Sequence, residues 1–137
     1  MVAFHATLKT SVQHVGVQQM VHFDNVITNI GNAYNPHFGA FVAPVSGVYV
    51  FHTTITGYGH HVLHVSIVKN NGSVASFYIR GVESSFGNGS AMAVLHLNKG
   101  DDLAIRNNDA DKGIHVYSMF SGFLLHEDHP TESIVGK

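Results

Sequence analysis

The stretch from Phe23 to Ile55, FDNVITNIGNAYNPHFGAFVAPVSGVYVFHTTI, constrains the fold more than any other part of the chain. It holds no metal-ligand cluster, nucleophile or phosphate-binding loop. It offers instead aromatic and turn residues at fixed intervals: Phe23, Asn29, Tyr34, Phe41 and Gly47, then Tyr49 and Phe51 on alternate positions. From Gly47 to Ile55 nearly every residue is β-branched or aromatic, which suits a pleated and largely buried strand. Alternation puts Tyr49, Phe51, Thr53 and Ile55 on one face and Val48, Val50, His52 and Thr54 on the other.

The remainder reads as more of the same. Residues 2–8 alternate as a first strand, and residues 10–19 are polar and read as a connection. Residues 23–34, with Gly31 and three asparagines, read as a loop despite Val26 and Ile27. Residues 38–42 make a short strand and 61–69 a β-branched one. An Asn71-Gly72 turn then leads into a strand over 73–80. Residues 81–90 are a glycine- and serine-rich loop, and strands 91–97 and 103–107 flank the Lys99-Gly100-Asp101 turn. A loop over 108–113 leads to a last strand over 114–125, and the polar residues after it, with Pro130, read as a fraying tail. No helical stretch stands out. Eight to ten short strands with regular turns mean a sandwich or jelly roll.

The spacing of Phe23, Asn29, Tyr34, Phe41, Gly47, Tyr49 and Phe51 resembles the signature of the C1q domain family, within the C1q/TNF superfamily. The signature runs Phe, Asn or Asp, an aromatic, Phe, then Gly-x-Tyr-x-Phe-x-aromatic; here Thr53 replaces the last aromatic. Residues 95–103 look like the family's strand-Gly-Asp-strand turn and residues 120–125 like its closing strand. The resemblance implies an all-β, ten-stranded jelly-roll sandwich assembling as a homotrimer, with a globular domain over residues 1–126 and a flexible tail over 127–137.

A chain of 137 residues suits one domain. Its net charge of −2 argues against nucleic acid, which asks for a basic face. The absence of cysteine removes disulfides, thiolate zinc sites and cysteine nucleophiles. With 12% charged and 45% apolar residues, a small domain has little charge to cover its surface, so part of that surface is expected inside an oligomer. No apolar run is long enough to span a bilayer, so membrane insertion is not expected. Residues 1–3 lead straight into a strand without a signal-peptide pattern, as in a mature or trimmed chain.

Twelve histidines stand out. His60 and His64 share a strand face but lie about 13 Å apart, too far to share one zinc ion. By the resemblance, His5, His115, His52 and His96 each belong to one strand of the sheet facing the trimer axis, with His52 pointing at the neighbouring subunit. They suggest a histidine belt that would hold a divalent metal such as zinc, or charge at about pH 6.5 and loosen the trimer. A plain reading, exposed or singly bonded histidines, competes with it. Asp109 and Asp111, with Asn107 and Asn108, offer hard oxygen ligands; some family members hold calcium near the trimer apex, but a solvated turn explains the same residues. No cofactor is required. Asn71 and Asn88 begin glycosylation sequons, Asn71 being equally explained by its turn.

No nucleophile elbow or carboxylate pair in an apolar setting is present, so an enzyme is not expected. The resemblance implies a secreted recognition head, an innate-immune lectin for microbial glycans or anionic surface polymers. Its ligand loops would lie at residues 57–61, 81–90 and 107–113, with Tyr58, Phe86, Asn88, Asn108, Asp109 and Asp111 as contacts. The alternatives are a histidine-rich metal-binding extracellular protein on the same trimer, and a TNF-like signalling ligand.

Overall fold

A computed structural model describes residues 1–59, 62–81, 85–109 and 112–129. Its described residues form twelve strands: β1 Ala3–Thr7, β2 Val12–Val15, β3 Asn25–Ile30, β4 Tyr34–Asn35, β5 Ala40–Val42, β6 Gly47–Gly57, β7 Val62–Lys69, β8 Gly72–Arg80, β9 Gly87–Leu97, β10 Asp102–Asn107, β11 Lys112–Ile114 and β12 Met119–Glu127. They make two sheets, a seven-stranded one in the order β2-β11-β6-β12-β1-β3 with β9 on the other edge of β6, and a five-stranded one in the order β4-β5-β10-β7-β8. The architecture is the expected all-β sandwich.

The periodic residues form its centre. Phe23, Phe41, Tyr49, Phe51 and Phe120 are fully buried, and Phe4 packs among them. The Phe4 ring stacks on Tyr34 at 5.0 Å and meets Phe120 edge-on at 4.8 Å. Asn29 is a staple rather than a core residue: its side chain donates to the Tyr34 carbonyl and accepts from the Tyr34 N–H, closing the turn before β4. Gly47 and Gly122 are required by close approach. A β-carbon on Gly47 would lie 2.4 Å from the His126 carbonyl, and one on Gly122 would lie 2.5 Å from the Phe51 ring. Thr53, which replaces the family's aromatic, is fully buried and satisfies its hydroxyl on the Met119 carbonyl at 2.8 Å.

Several local expectations change. Residues 12–15 are a strand, β2, because they pair with β11 across the chain. Residues 25–30 are also a strand, since β1 supplies the partner that sequence alone did not name. The loop expected to reach Ser90 ends sooner, for β9 starts at Gly87 and pairs with β6 along its whole length. The last strand is interrupted between Ile114 and Met119 by a turn. The hairpin turn sits one residue earlier than expected: Asn70 and Asn71 both have positive φ, 48° and 70°, while Gly72 already pairs with Lys69. At the other end, β12 runs to Glu127 and the Asp128 N–H donates to the Ser46 carbonyl. Residues 130–137 of the expected tail lie outside the described residues.

Candidate functional site

The β6 and β9 strands end at the same edge of the sandwich, paired to Gly57 and Gly87. Tyr58 leaves the first and Phe86 enters the second. At that edge β11 joins β6 at Gly57, and the chain turns before β12. The turn is held from inside: Ser118, fully buried, donates its hydroxyl to the His115 carbonyl and accepts from the Thr56 N–H. The His115 N–H donates to the Thr56 carbonyl. The His115 ring of this turn thereby meets the two rings that flank the long strands, and Tyr117 of the same turn packs on His115.

The four rings form one group. Phe86 and Tyr117 each lie against the imidazole, at 4.4 and 4.5 Å, and Tyr58 meets it edge-on at 5.7 Å. Tyr58 and Phe86 are 5.8 Å apart. Gly113 backs the group, since a β-carbon there would come within 2.9 Å of the Tyr58 ring. Phe86 is 49% exposed and Tyr117 71%, so a solvent-facing aromatic platform surrounds a half-buried imidazole. The Tyr117 N–H donates to His115 Nδ1, which keeps the ring proton of the neutral imidazole on Nε2.

Two of the expected contact residues, Tyr58 and Phe86, thus stand together, and Asn88 is beside them, accepting from the Thr56 hydroxyl at 2.7 Å. Asn88 is exposed on β9 rather than in a loop. Asn108 belongs elsewhere: it accepts from Arg106 Nε at 2.8 Å and donates to Ser66, part of a polar chain on the five-stranded sheet. Asn107 is buried and its amide donates to the Val15, Gly16 and Asp109 carbonyls, which commits it to holding the loop. Asp109 is tied to Asn107 through its backbone, its N–H donating to the Asn107 side-chain carbonyl and its own carbonyl accepting from the Asn107 amide, and Asp111, His60 and His61 lie outside the described residues. Asp101 is likewise engaged; hydrogen bonds from Asn70 and the Asn98 N–H, with Lys69 nearby, hold its carboxyl below the usual carboxylate range. Asn71 sits in the β7–β8 turn and its carbonyl accepts from Arg106.

Three members of the expected histidine belt, His5, His52 and His96, are spread over one sheet face. His5 pairs in register with Ser121 and Ser121 with His52, so the two imidazoles flank one serine, and His5 Nδ1 bonds the Ser121 hydroxyl. His96 lies farther along β9 and bonds Asp128 at 2.8 Å. His115 departs from the expectation, standing in the turn before β12 instead of on the last strand. Among the described residues of one chain, no three His, Cys, Asp or Glu side chains are grouped to hold a metal ion. A separate groove of about 480 Å³, lined by Val12, His14, Met20, His22 and Phe38 among others, touches none of the expected residues.

Tyr117 and the turn around it were hidden in the sequence because residues 114–125 read as one unbroken β-branched and aromatic run. Neither Gly nor Pro marks the break; a buried serine makes it.

The C1q domain model matches residues 3–125. The chain is 33% identical over 129 residues to heavy metal-binding protein HIP of Mytilus edulis, covering 91% of this chain and 61% of that protein. It is 39% identical over 133 residues to complement C1q tumor necrosis factor-related protein 3 of Homo sapiens, covering 92% of this chain and 52% of that protein. The chain therefore spans about half to three-fifths of these relatives' length. Among solved structures, it resembles the globular domain of zebrafish complement 1qA with a TM-score of 0.76 at 24% identity, over 93% of this chain and all of that one. It resembles the Eiger TNF of S. frugiperda with a TM-score of 0.79 at 15% identity, over 93% and 94% of the two chains, a likeness of fold alone. Among the described residues no helix is long and apolar enough to cross a membrane.

Proposed function

The chain belongs to the C1q domain family, and we propose that it is a secreted, homotrimeric, non-enzymatic recognition head that binds glycans or other anionic surface polymers. The observation that carries this reading is the exposed ring group of Tyr58, Phe86, His115 and Tyr117. Rings present flat apolar faces to the C–H faces of a sugar, while the Tyr hydroxyls and the imidazole Nε2 offer polar contacts at their rims. A single such site on a small open surface is weak. Three on a rigid trimer act together on a repetitive polymer, multiplying affinity without new contacts.

The test is a glycan and polysaccharide array probed with the native protein and with Phe86→Ala and Tyr117→Ala. Both residues are substantially exposed, so their loss leaves the core intact. Native protein is expected to hold a subset of glycans, and each variant to lose about two- to tenfold, the order expected for removing one stacking ring. Retention of no glycan, or unchanged binding by both variants, ends this reading.

A second reading, extracellular metal binding, is favoured by the likeness to the mussel heavy metal-binding protein and by imidazoles on one exposed sheet face. A TNF-like signalling role gains no comparable support from the loops.

A further inference from the structure

The outward face of the seven-stranded sheet carries a second kind of metal ligand. Phe51, Thr53 and Ala93 point into the core, so His52 and Met92, which alternate with them, point out. They are directly opposed in register, and both are exposed, Met92 at 64%. On the other side of His52, Ser121 is its partner on β12, and Met119, two residues earlier, pairs with Thr54 on the same outward face. Of the four methionines in the chain, two therefore flank one histidine.

Opposed side chains on neighbouring strands have β-carbons about 5 Å apart, and diagonal ones about 7–8 Å apart. An imidazole nitrogen and a thioether sulfur reaching about 2 Å to an ion can meet across such gaps. Ligand softness then decides which ion. Thioether sulfur is a soft donor that selects copper(I), whereas calcium, magnesium and manganese ask for carboxylate and carbonyl oxygens. The register rows through His52, Thr54 and Val50 carry His5, Ser121, Met92, Thr7, Met119, Ser90, Ala3, Phe123 and Val94, with no carboxylate among them. Such a patch has little to offer a hard divalent ion.

We propose that His52, Met92 and Met119 form a binding site for a soft monovalent ion, copper(I), with His5 as the nearest further imidazole on the same row. This rests on the metal-binding reading above and narrows it to one ion class and one place. The bland explanation of two outward methionines is apolar filling of a subunit interface. Replacing sulfur by carbon separates the two, because Met→Leu keeps the apolar bulk and removes only the donor.

The experiment titrates copper(I), kept reduced and anaerobic, from a chromophoric competing chelator into native protein, Met92→Leu, Met119→Leu and His52→Asn. Zinc is titrated in parallel, and sedimentation checks that each variant assembles as the native protein does. The native chain is expected to take one copper(I), tightly enough to compete with the chelator. The His52, Met92 and Met119 changes should each weaken it at least tenfold, while zinc affinity is unmoved by either Met→Leu change. Equal copper(I) affinity in native protein and Met92→Leu overturns the proposal. Zinc binding without competitive copper(I) binding overturns it while leaving the broader metal reading in place. Failure of both ions overturns both.

Discussion

A single hydroxyl near the centre of the sandwich shows how residue chemistry sets the conditions under which this fold survives. Tyr34 is 2% exposed, stacks on Phe4, and donates its hydroxyl to the Phe23 carbonyl at 2.8 Å. Burial, with the charge of Asp24 adding to it, pushes its ionisation well above the ordinary tyrosine range, and burial also raises that of Tyr49. The folded chain keeps the Tyr34 proton at pH values where the unfolded chain has lost it, so the contribution is complete below about pH 10 and shrinks above it. The loss reaches about 1.4 kcal/mol per pH unit for one such group. Native protein should therefore lose more unfolding free energy between pH 9 and pH 11 than Tyr34→Phe, measured from urea midpoints. The variant begins lower by about 1 kcal/mol for its missing hydrogen bond. Parallel losses would show that the hydroxyl is not what limits alkaline stability.

At the scale of elements, the β7–β8 hairpin separates two roles that neighbouring asparagines share. Both Asn70 and Asn71 occupy left-handed backbone, the pattern of a two-residue hairpin turn that matches strand twist. Asn70 also accepts from the Asp102 N–H and donates to Asp101, tying this turn to the start of β10. Asn71→Gly keeps the backbone shape, so it should leave the melting temperature unchanged or slightly raised, whereas Asn70→Gly should lower stability by about 1–2 kcal/mol through two lost bonds. Equal effects from the two would mean that backbone geometry alone matters there. The same hairpin marks what sequence could and could not tell. Asn71-Gly72 announced a turn, but only the pairing of Lys69 with Gly72 fixed its register. The core was legible because Tyr49 and Phe51 alternate on one strand face and because Phe23, Tyr34 and Phe41 precede them at the spacing of the family signature they resemble. Strands β2 and β3 were not, because their patterns are weak and their partners, β11 and β1, are distant in sequence. For the ring group, Tyr58 and Phe86 were legible as aromatics in loops, while His115 and Tyr117 depended on the Ser118 staple, which composition does not reveal.

On the scale of the whole molecule, one face of the sandwich is unlike the rest. Val94, Phe123 and Leu125, exposed at 58%, 44% and 60%, line the two strands that flank β6 in the seven-stranded sheet, and Ile30 continues the apolar surface on β3. Val94 lies in register with Val50, and Val50 with Phe123, so the patch is continuous across β9, β6 and β12. A contiguous apolar sheet face of this kind is a place where another chain sits, because leaving it in water forfeits about 25 cal/mol for each Å² that could be covered. Trimer assembly is typical of the family to which this chain belongs. For this chain the face predicts sedimentation at three times the 14.8 kDa chain mass at neutral pH. Val94→Glu, which sets a charge in the middle of the patch and leaves the core untouched, should convert it to a folded monomer. Such a change costs several kcal/mol when an unpaired carboxylate is buried, enough to separate chains at micromolar concentration. The monomeric variant would also test the recognition reading: its four rings remain intact, so binding to a soluble oligosaccharide should persist while retention on a dense polymer surface collapses. A variant that stays trimeric would move the interface off this face. Loss of both modes of binding together would mean that the ring group needs its neighbours.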